Sequence, residues 1–232
     1  MLRLCALFAW AACALAQASP GGSLSLTSDY VLRGVSQSDG QPVLQGDVHW
    51  SFPLGWSSGL WASQLRARPP AARSEVGGYL QWQGALSSDF DVGAAYTHYA
   101  YPNDPRPISY DYDELAISLA WRDQIYLAGT WTPRLNLYSA TDGLASNRSV
   151  YTAEASWHRT ISPRFDLSLG LGFYDPHGVD YASYGYGNAT LGWHYGHWRA
   201  ILSAIWVQDA LHRRYSPGPA GGPLTATLAW IF

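Results

Sequence analysis

The sequence predicts an all-β protein: a transmembrane antiparallel β-barrel, most simply of twelve strands, with short periplasmic turns and longer extracellular loops. Three observations predict it. Apolar residues recur at period two over segments of about ten residues, the connections between segments alternate between short and long, and arginine is kept off the apolar parity. Period-two alternation means a strand whose two faces meet different surroundings. Segments of about ten residues with this alternation, separated by turn residues, are the signature of strands that cross a bilayer at a tilt.

The twelve segments lie near 23–35, 42–52, 56–65, 76–86, 90–101, 111–121, 124–132, 148–158, 165–174, 184–194, 198–207 and 223–232. Leu24, Leu26, Tyr30 and Leu32 carry the apolar parity of the first, and Leu44, Val48, Trp50 and Phe52 that of the second. The third and seventh alternate less cleanly. Leu115, Ile117, Leu119 and Trp121 mark the sixth, and Phe165, Leu167, Leu169, Leu171 and Phe173 the ninth. The last runs Leu224, Ala226, Leu228, Trp230, Phe232.

Even segments are followed by short turns: Pro53-Leu54-Gly55, Ser87-Ser88-Asp89, Arg122-Asp123, Tyr195-Gly196-His197, and a slightly longer one from Arg159 to Arg164. Odd segments are mostly followed by longer stretches, 66–75, 102–110, 133–147, 175–183 and 208–222. That asymmetry, with an even strand number that puts both termini on one side, is the pattern of outer-membrane barrels. Arg66, Arg68, Arg73, Arg106, Arg134, Arg213 and Arg214 fall in the long loops, Arg148 at a loop edge, and Arg122, Arg159 and Arg164 in turns. Arg33 and Arg199 lie inside segments, both at the polar parity. An arginine facing lipid at the midplane costs about 2–4 kcal/mol, whereas a soluble sandwich has no reason to exclude it. Phe52, Trp56, Phe90, Trp121, Trp157, Phe165, Trp193 and Trp198 gather near the short turns, as an interfacial girdle does.

Composition points the same way. Charged residues make up 13 % of the chain and aromatics 15 %, while a soluble domain carries about 25 % charge. Lysine is absent, and the net charge of −3 gives no footing for nucleic acid. Arg3 precedes an apolar run from Leu4 to Leu15 that ends in Ala14-Leu15-Ala16, a secretory signal peptide with cleavage after Ala16 or Ala18. Residues 1–18 are therefore read as the leader and 19–232 as one barrel domain, which places the protein in the outer membrane of a Gram-negative bacterium. Cys5 and Cys13 both lie in the leader, so the mature chain holds no thiol or disulfide. Trp10-Ala11-Ala12 before Cys13 is a poor lipobox.

The stretch Ser25-Leu26-Thr27-Ser28-Asp29-Tyr30-Val31-Leu32-Arg33-Gly34-Val35-Ser36-Gln37-Ser38-Asp39-Gly40, continuing through Pro42 to Leu44-Gln45-Gly46, is distinctive. It resembles the N-terminal signature of a proteobacterial family of TorF-like porins without established function. Gly59-Leu60-Trp61-Ala62-Ser63, Tyr99-Ala100-Tyr101-Pro102 and Tyr112-Asp113-Glu114-Leu115 resemble later blocks of that family. The likeness runs along the mature chain and weakens beyond residue 130. It implies an outer-membrane barrel with channel activity, and it brings no substrate and no catalytic residues. The aromatic C-terminal strand, with Trp230 and Phe232, resembles the terminal strand of bacterial outer-membrane barrels, where it is an assembly signal read by the barrel assembly machinery.

Inward parity collects Asp29, Arg33, Asp47, His49, Asp91, Glu114, Glu154, Asp166 and Arg199. Ionisable residues within a membrane span face a cavity or one another. Six acids against two arginines predict a channel for passive diffusion of small polar solutes with a mild preference for cations. Arg33 is expected to pair with a nearby acid such as Asp29. Two rival readings remain. A barrel hydrolase of the phospholipase or lipid A deacylase type needs an activated serine facing lipid, and Ser109, His98 and Asp113 lie near one rim. A structural barrel needs a filled lumen, which the inward tyrosines Tyr79, Tyr99, Tyr126 and Tyr174 supply. The histidines show no metal-ligand spacing, and no cofactor is expected. The expected partners are outer-membrane lipid, the assembly machinery and small solutes.

Overall fold

In a computed structural model the alternating segments become one closed ring of strands. It describes residues 18–66, 72–105, 109–138, 145–177, 182–208 and 224–232. The leader up to residue 17, and Arg68, Arg106, Arg213 and Arg214 of the long loops, lie outside the described residues. The ring contains β1 (Ser19–Thr27), β4 (Val43–Ser51), β5 (Trp56–Gln64), β6 (Ser74–Ala85), β7 (Phe90–Ala100) and β8 (Tyr112–Trp121). It continues through β9 (Ile125–Tyr138), β10 (Ala145–Ser162), β11 (Phe165–Asp175), β12 (Tyr184–Tyr195), β13 (Trp198–Val207) and β14 (Leu224–Ile231). Each strand pairs antiparallel with its chain neighbour, and β14 returns to β1, so twelve strands close the barrel. At the seam Leu26 lies opposite Leu228 and Leu24 opposite Trp230. Gly22 and Phe232 exchange backbone hydrogen bonds of 3.0 Å in both directions, which completes the closure at the last residue.

The outer face is apolar from strand to strand. Leu24, Leu44, Leu60, Leu80, Leu115, Leu127, Leu169, Leu202 and Leu228 all project outward and stay exposed, and Ile117 is 71 % exposed. An apolar surface of this extent belongs against lipid rather than water. Trp50, Trp56, Phe90, Phe165, Trp198 and Trp230 ring it at the short-turn end. Tyr96, Trp131, Tyr151, Phe173 and Trp206 ring it toward the long loops. These two aromatic belts bracket the apolar band as Trp and Tyr do at bilayer interfaces.

Three strand expectations need correction. The first segment does not run as one strand to residue 35: β1 ends at Thr27, and residues 28–42 leave the wall. The outward parity of Leu24 and Leu26 falls on Ser28 at the next position, where lipid would meet a hydroxyl. Beyond it, β2 (Val31–Leu32) and β3 (Val35–Ser36) pair only with each other. Arg159, expected in a turn, lies instead within β10, because that strand runs on to Ser162. It stands opposite Leu167 on the outward register, at the short-turn rim where a long side chain reaches the headgroup layer. β9 and β10 also extend past the expected bounds at the long-loop end, with a register shift between Arg148 and Val150.

Placing a guanidinium on the exposed mid-strand position Ile117 tests the lipid-facing assignment. Ile117→Arg is expected to lower the unfolding free energy in lipid vesicles by about 2–4 kcal/mol, measured by urea titration. Ser118→Thr, one residue along on the inner face, should leave it nearly unchanged.

Candidate functional site: the lumen and its inserted hairpin

The segment that leaves β1 folds into the barrel. Thr27 Oγ1 donates to the carbonyl of Asp29 (3.0 Å) and turns the chain away from the wall. Ser28 still exchanges two hydrogen bonds with Ala226 of β14, through its amide and its hydroxyl. Leu32 and Val35 flank a two-residue turn, Arg33-Gly34, in which both residues have positive φ, 51° and 79°. This is the geometry of a type I′ hairpin turn, and the glycine makes its second position inexpensive. A Cβ at Gly34 would also lie 2.5 Å from Val207 Cγ2 and 3.1 Å from Tyr186 Cβ, so the turn is pressed against β12 and β13.

The hairpin is fastened to itself from within. Asp29 Oδ1 accepts from the hydroxyls of Ser36 (2.5 Å) and Ser38 (2.7 Å). The Tyr30 amide donates to Ser38 Oγ, and the Gln37 amide donates to the Tyr30 carbonyl. Ser38 is 0 % exposed, as befits a hydroxyl that orders a buried turn.

Arg33 crosses to the other side of the lumen. Its Nη2 lies 2.6 Å from Glu114 Oε2 on β8 and 3.4 Å from Thr130 Oγ1 on β9. Both ends of the pair are shielded, at 13 % and 8 % side-chain exposure. The expected Asp29 partner is thus replaced by Glu114: a type I′ turn aims the Arg33 side chain away from the hairpin's own base. The guanidinium carbon also sits 5.9 Å from the Tyr174 ring centre. Thr130 and Thr132 hydroxyls complete the Glu114 environment.

A second carboxylate, Glu75, holds the hairpin's other face. It is 0 % exposed and accepts from Tyr30 OH (3.0 Å), Trp61 Nε1 (3.2 Å) and Tyr101 OH (3.0 Å). Burial, and next the Glu75 carboxylate, hold the phenols of Tyr30 and Tyr101 above the usual tyrosine range, so both remain donors. The sequence reading missed Glu75 because it began that strand at residue 76. Glu75 shares the parity of Tyr79 and was there to be found once β6 is extended to Ser74.

The remaining charges line the interior, several of them beside a partner. Tyr186 OH donates to Glu154, and the register explains how: Glu154, Gly172 and Tyr186 stand in line across β10, β11 and β12. With no side chain at Gly172, the Tyr186 ring lies across it, where a Cβ would overlap that ring. Asp166 lies 3.5 Å from Arg199 and 3.9 Å from His194. Asp47 accepts from Ser23 and pairs with His49 at 3.0 Å. Asp91 lines a cavity of about 350 Å³ at the short-turn end, together with Gln81, Gln83, Ser118, Tyr126 and His158. A third guanidinium, Arg148, stands opposite Leu135 toward the long loops.

The hairpin borders two further cavities. One of about 320 Å³ runs beside it along Gln45, Asn188, Thr190, Ser203, Thr225 and Thr227. The other, about 200 Å³, lies at its tip among Leu135, Leu137, Val150, Tyr174 and Tyr184. Of the tyrosines expected to fill the lumen, Tyr99 stacks on Tyr112 at 4.4 Å and Tyr174 leans on Tyr184 at 5.2 Å. Tyr79 tilts toward Trp61, while Tyr126 stays 46 % exposed in the lower cavity.

On the outer rim His98 and Asp113 face each other in register, 2.9 Å apart, and Asp113 also accepts from Tyr96 OH (2.5 Å). Ser109 Oγ accepts the Asp111 amide (3.1 Å). Among the described residues no hydrogen bond links Ser109 to His98, and no three His, Cys, Asp or Glu side chains converge as a metal site.

A closed ring with an apolar outer face, aromatic belts and an ionisable interior defines a transmembrane β-barrel. Solved structures agree on the fold. The NanC porin aligns with a TM-score of 0.59 at 10 % identity, over 92 % of this chain and 98 % of that one. The KdgM porin, in complex with disordered oligogalacturonate, aligns with a TM-score of 0.55 at 9 % identity over the same shares. No curated protein sequence matches. Residues 14–153 match the family model described as "Bacterial protein of unknown function (Gcw_chp)", and the chain belongs to that family. The matched region contains the whole inserted hairpin together with Glu75 and Glu114.

The hairpin's dependence on Glu75 can be read by hydrogen exchange. Tyr30→Phe removes one hydrogen bond to a buried carboxylate, a contact worth about 1.5–3 kcal/mol. Protection of the Val31–Ser36 amides is expected to fall by about 10- to 100-fold, with the ring strands unchanged.

Proposed function

We propose that this protein is an outer-membrane porin that passes small polar solutes by diffusion with a mild preference for cations; channel activity is what its resemblance to the TorF-like porins implies. The observation that carries the reading is the polar, ionisable interior enclosed by a lipid-facing ring. In this reading the short turns lie in the periplasm, and the hairpin enters the lumen from the outer mouth. The terminal strand with Trp230 and Phe232 is the segment offered to the assembly machinery.

Charge sets the expected selectivity. The inward set holds Asp29, Asp47, Glu75, Asp91, Glu114, Glu154 and Asp166 against Arg33, Arg148 and Arg199. Arg33 and Arg199 already stand beside a carboxylate, Glu114 and Asp166. Carboxylates lining a pore favour cations, and low-dielectric walls focus their field. A polyanion such as the oligogalacturonate found with the KdgM porin is disfavoured in such an interior. The route beside the hairpin, walled by Gln45, Asn188, Thr190, Ser203, Thr225 and Thr227, offers amides and hydroxyls to a passing solute.

In a planar bilayer across a potassium chloride gradient, the reversal potential is expected to indicate cation preference. The preference should shrink near 1 M salt, where the Debye length is about 3 Å. An anion-selective reversal potential contradicts the assignment.

The hydrolase reading has one observation in its favour, the lipid-facing His98–Asp113 pair. Among the described residues no hydrogen bond joins Ser109 to that pair, and its hydroxyl oxygen accepts the Asp111 amide instead. At the rim, the pair suits contact with lipid headgroups. His98→Ala is expected to leave conductance unchanged, and purified protein to leave phospholipid intact in a fatty-acid release assay. Lipid hydrolysis lost in His98→Ala would promote the hydrolase instead.

A further inference from the structure

We propose that the inserted hairpin, residues 28–42, is the gate of this channel, and that the Arg33–Glu114 ion pair is its latch and sets the ion selectivity of the open path. This rests on the porin reading above.

Four observations meet at this point. The hairpin reaches across the lumen: its roots join the neighbouring strands β1 and β4, while Arg33 at its tip contacts β8, β9 and β11. It is a unit in itself, because the Asp29 carboxylate and the Ser36 and Ser38 hydroxyls tie its two arms together. Its root is joined to the wall by backbone hydrogen bonds, from Ser28 to Ala226 and from Arg66 to Gln37. Among the described residues no backbone hydrogen bond joins Val31–Ser36 to the wall. The tip is held by side chains: Arg33 to Glu114, and Gly34 against Val207 and Tyr186. A stiff element held near its root by backbone bonds and the Tyr30–Glu75 hydrogen bond, and fastened at its tip by one ion pair, is a two-state device, not an added strand of the wall.

The chemistry of the latch makes it a selectivity element as well. Closed, Arg33 neutralises Glu114, and the constriction presents tyrosine hydroxyls and a balanced pair. Open, the guanidinium leaves the wall and Glu114 faces the path without its cation. Loss of either partner frees the hairpin tip, yet the charge left behind has opposite sign in the two cases. A purely structural role predicts no such opposition.

The test is single-channel recording on the refolded full chain in planar bilayers, with folding checked by heat-modifiable mobility on electrophoresis. Arg33→Gln and Glu114→Gln should both raise conductance and shorten closed times. Their reversal potentials should move in opposite directions, toward cations for Arg33→Gln and toward anions for Glu114→Gln. The charge-swapped pair Arg33→Glu with Glu114→Arg should restore the low conductance of the native protein. A variant with residues 30–38 replaced by a short glycine linker separates the two claims. If it conducts more than the native protein while both single variants behave as native, the latch is wrong and the porin reading stands. If no variant conducts, linker variant included, the porin reading fails and the gate fails with it. Reversal potentials that shift in the same direction in both single variants would also overturn the latch.

Discussion

Within a bilayer no water is at hand for backbone N–H and C=O groups, so strands must find all their partners in each other. The ring from β1 round to β14 meets this demand, and the last residue, Phe232, makes its closing bonds to Gly22. The period-two alternation, the exclusion of arginine from the middle of the apolar face and the two aromatic belts all follow from a closed sheet with lipid on one side only. The polar set at the inner parity has nowhere else to go.

Closure creates a second problem, an interior to be occupied. Twelve strands leave more room than their own side chains fill. The protein answers in two ways. Large rings lie across glycines on the next strand, as Tyr186 does over Gly172 to reach Glu154, and Trp61 over Gly77 toward Tyr99. A length of chain is also turned inward, and the carboxylates of Glu75 and Glu114 receive it. Buried carboxylates are costly unless hydrogen-bonded, and here each is met by hairpin side chains, Tyr30 for one and Arg33 for the other. The hairpin and the two acids therefore depend on each other.

Most of the ring was legible because its physics is repetitive. Leu115, Ile117 and Leu119, or Leu167, Leu169 and Leu171, announce their faces without any knowledge of neighbours. Apart from β1 and β9, strand ends are readable within a few residues for the same reason. What could not be read was where a strand leaves the wall. Tyr30 and Leu32 continue the apolar parity of Leu24 and Leu26, so the alternation by itself does not mark where the chain leaves the wall. The two local signals were Ser28 at an outward position and Gly34 after Arg33, a pair suited to a type I′ turn. The Arg33 partner was out of reach of sequence, since 81 residues separate it from Glu114 and the fold brings them together. The most distinctive sequence block, residues 25–46, contains the lumen insert, the element that sets this barrel apart from a plain ring of strands.

The claim on which the rest depends is that residues 28–42 lie inside the barrel with the turn at Gly34 packed against β12 and β13. Nuclear Overhauser contacts between the Gly34 protons and the Val207 methyl groups, recorded on the protein in lipid nanodiscs, address it without any substitution. The account predicts those contacts, with Val31–Ser36 amides protected from exchange. Absence of the contacts, with freely exchanging hairpin amides and protected ring strands, would place the hairpin outside the lumen and contradict it.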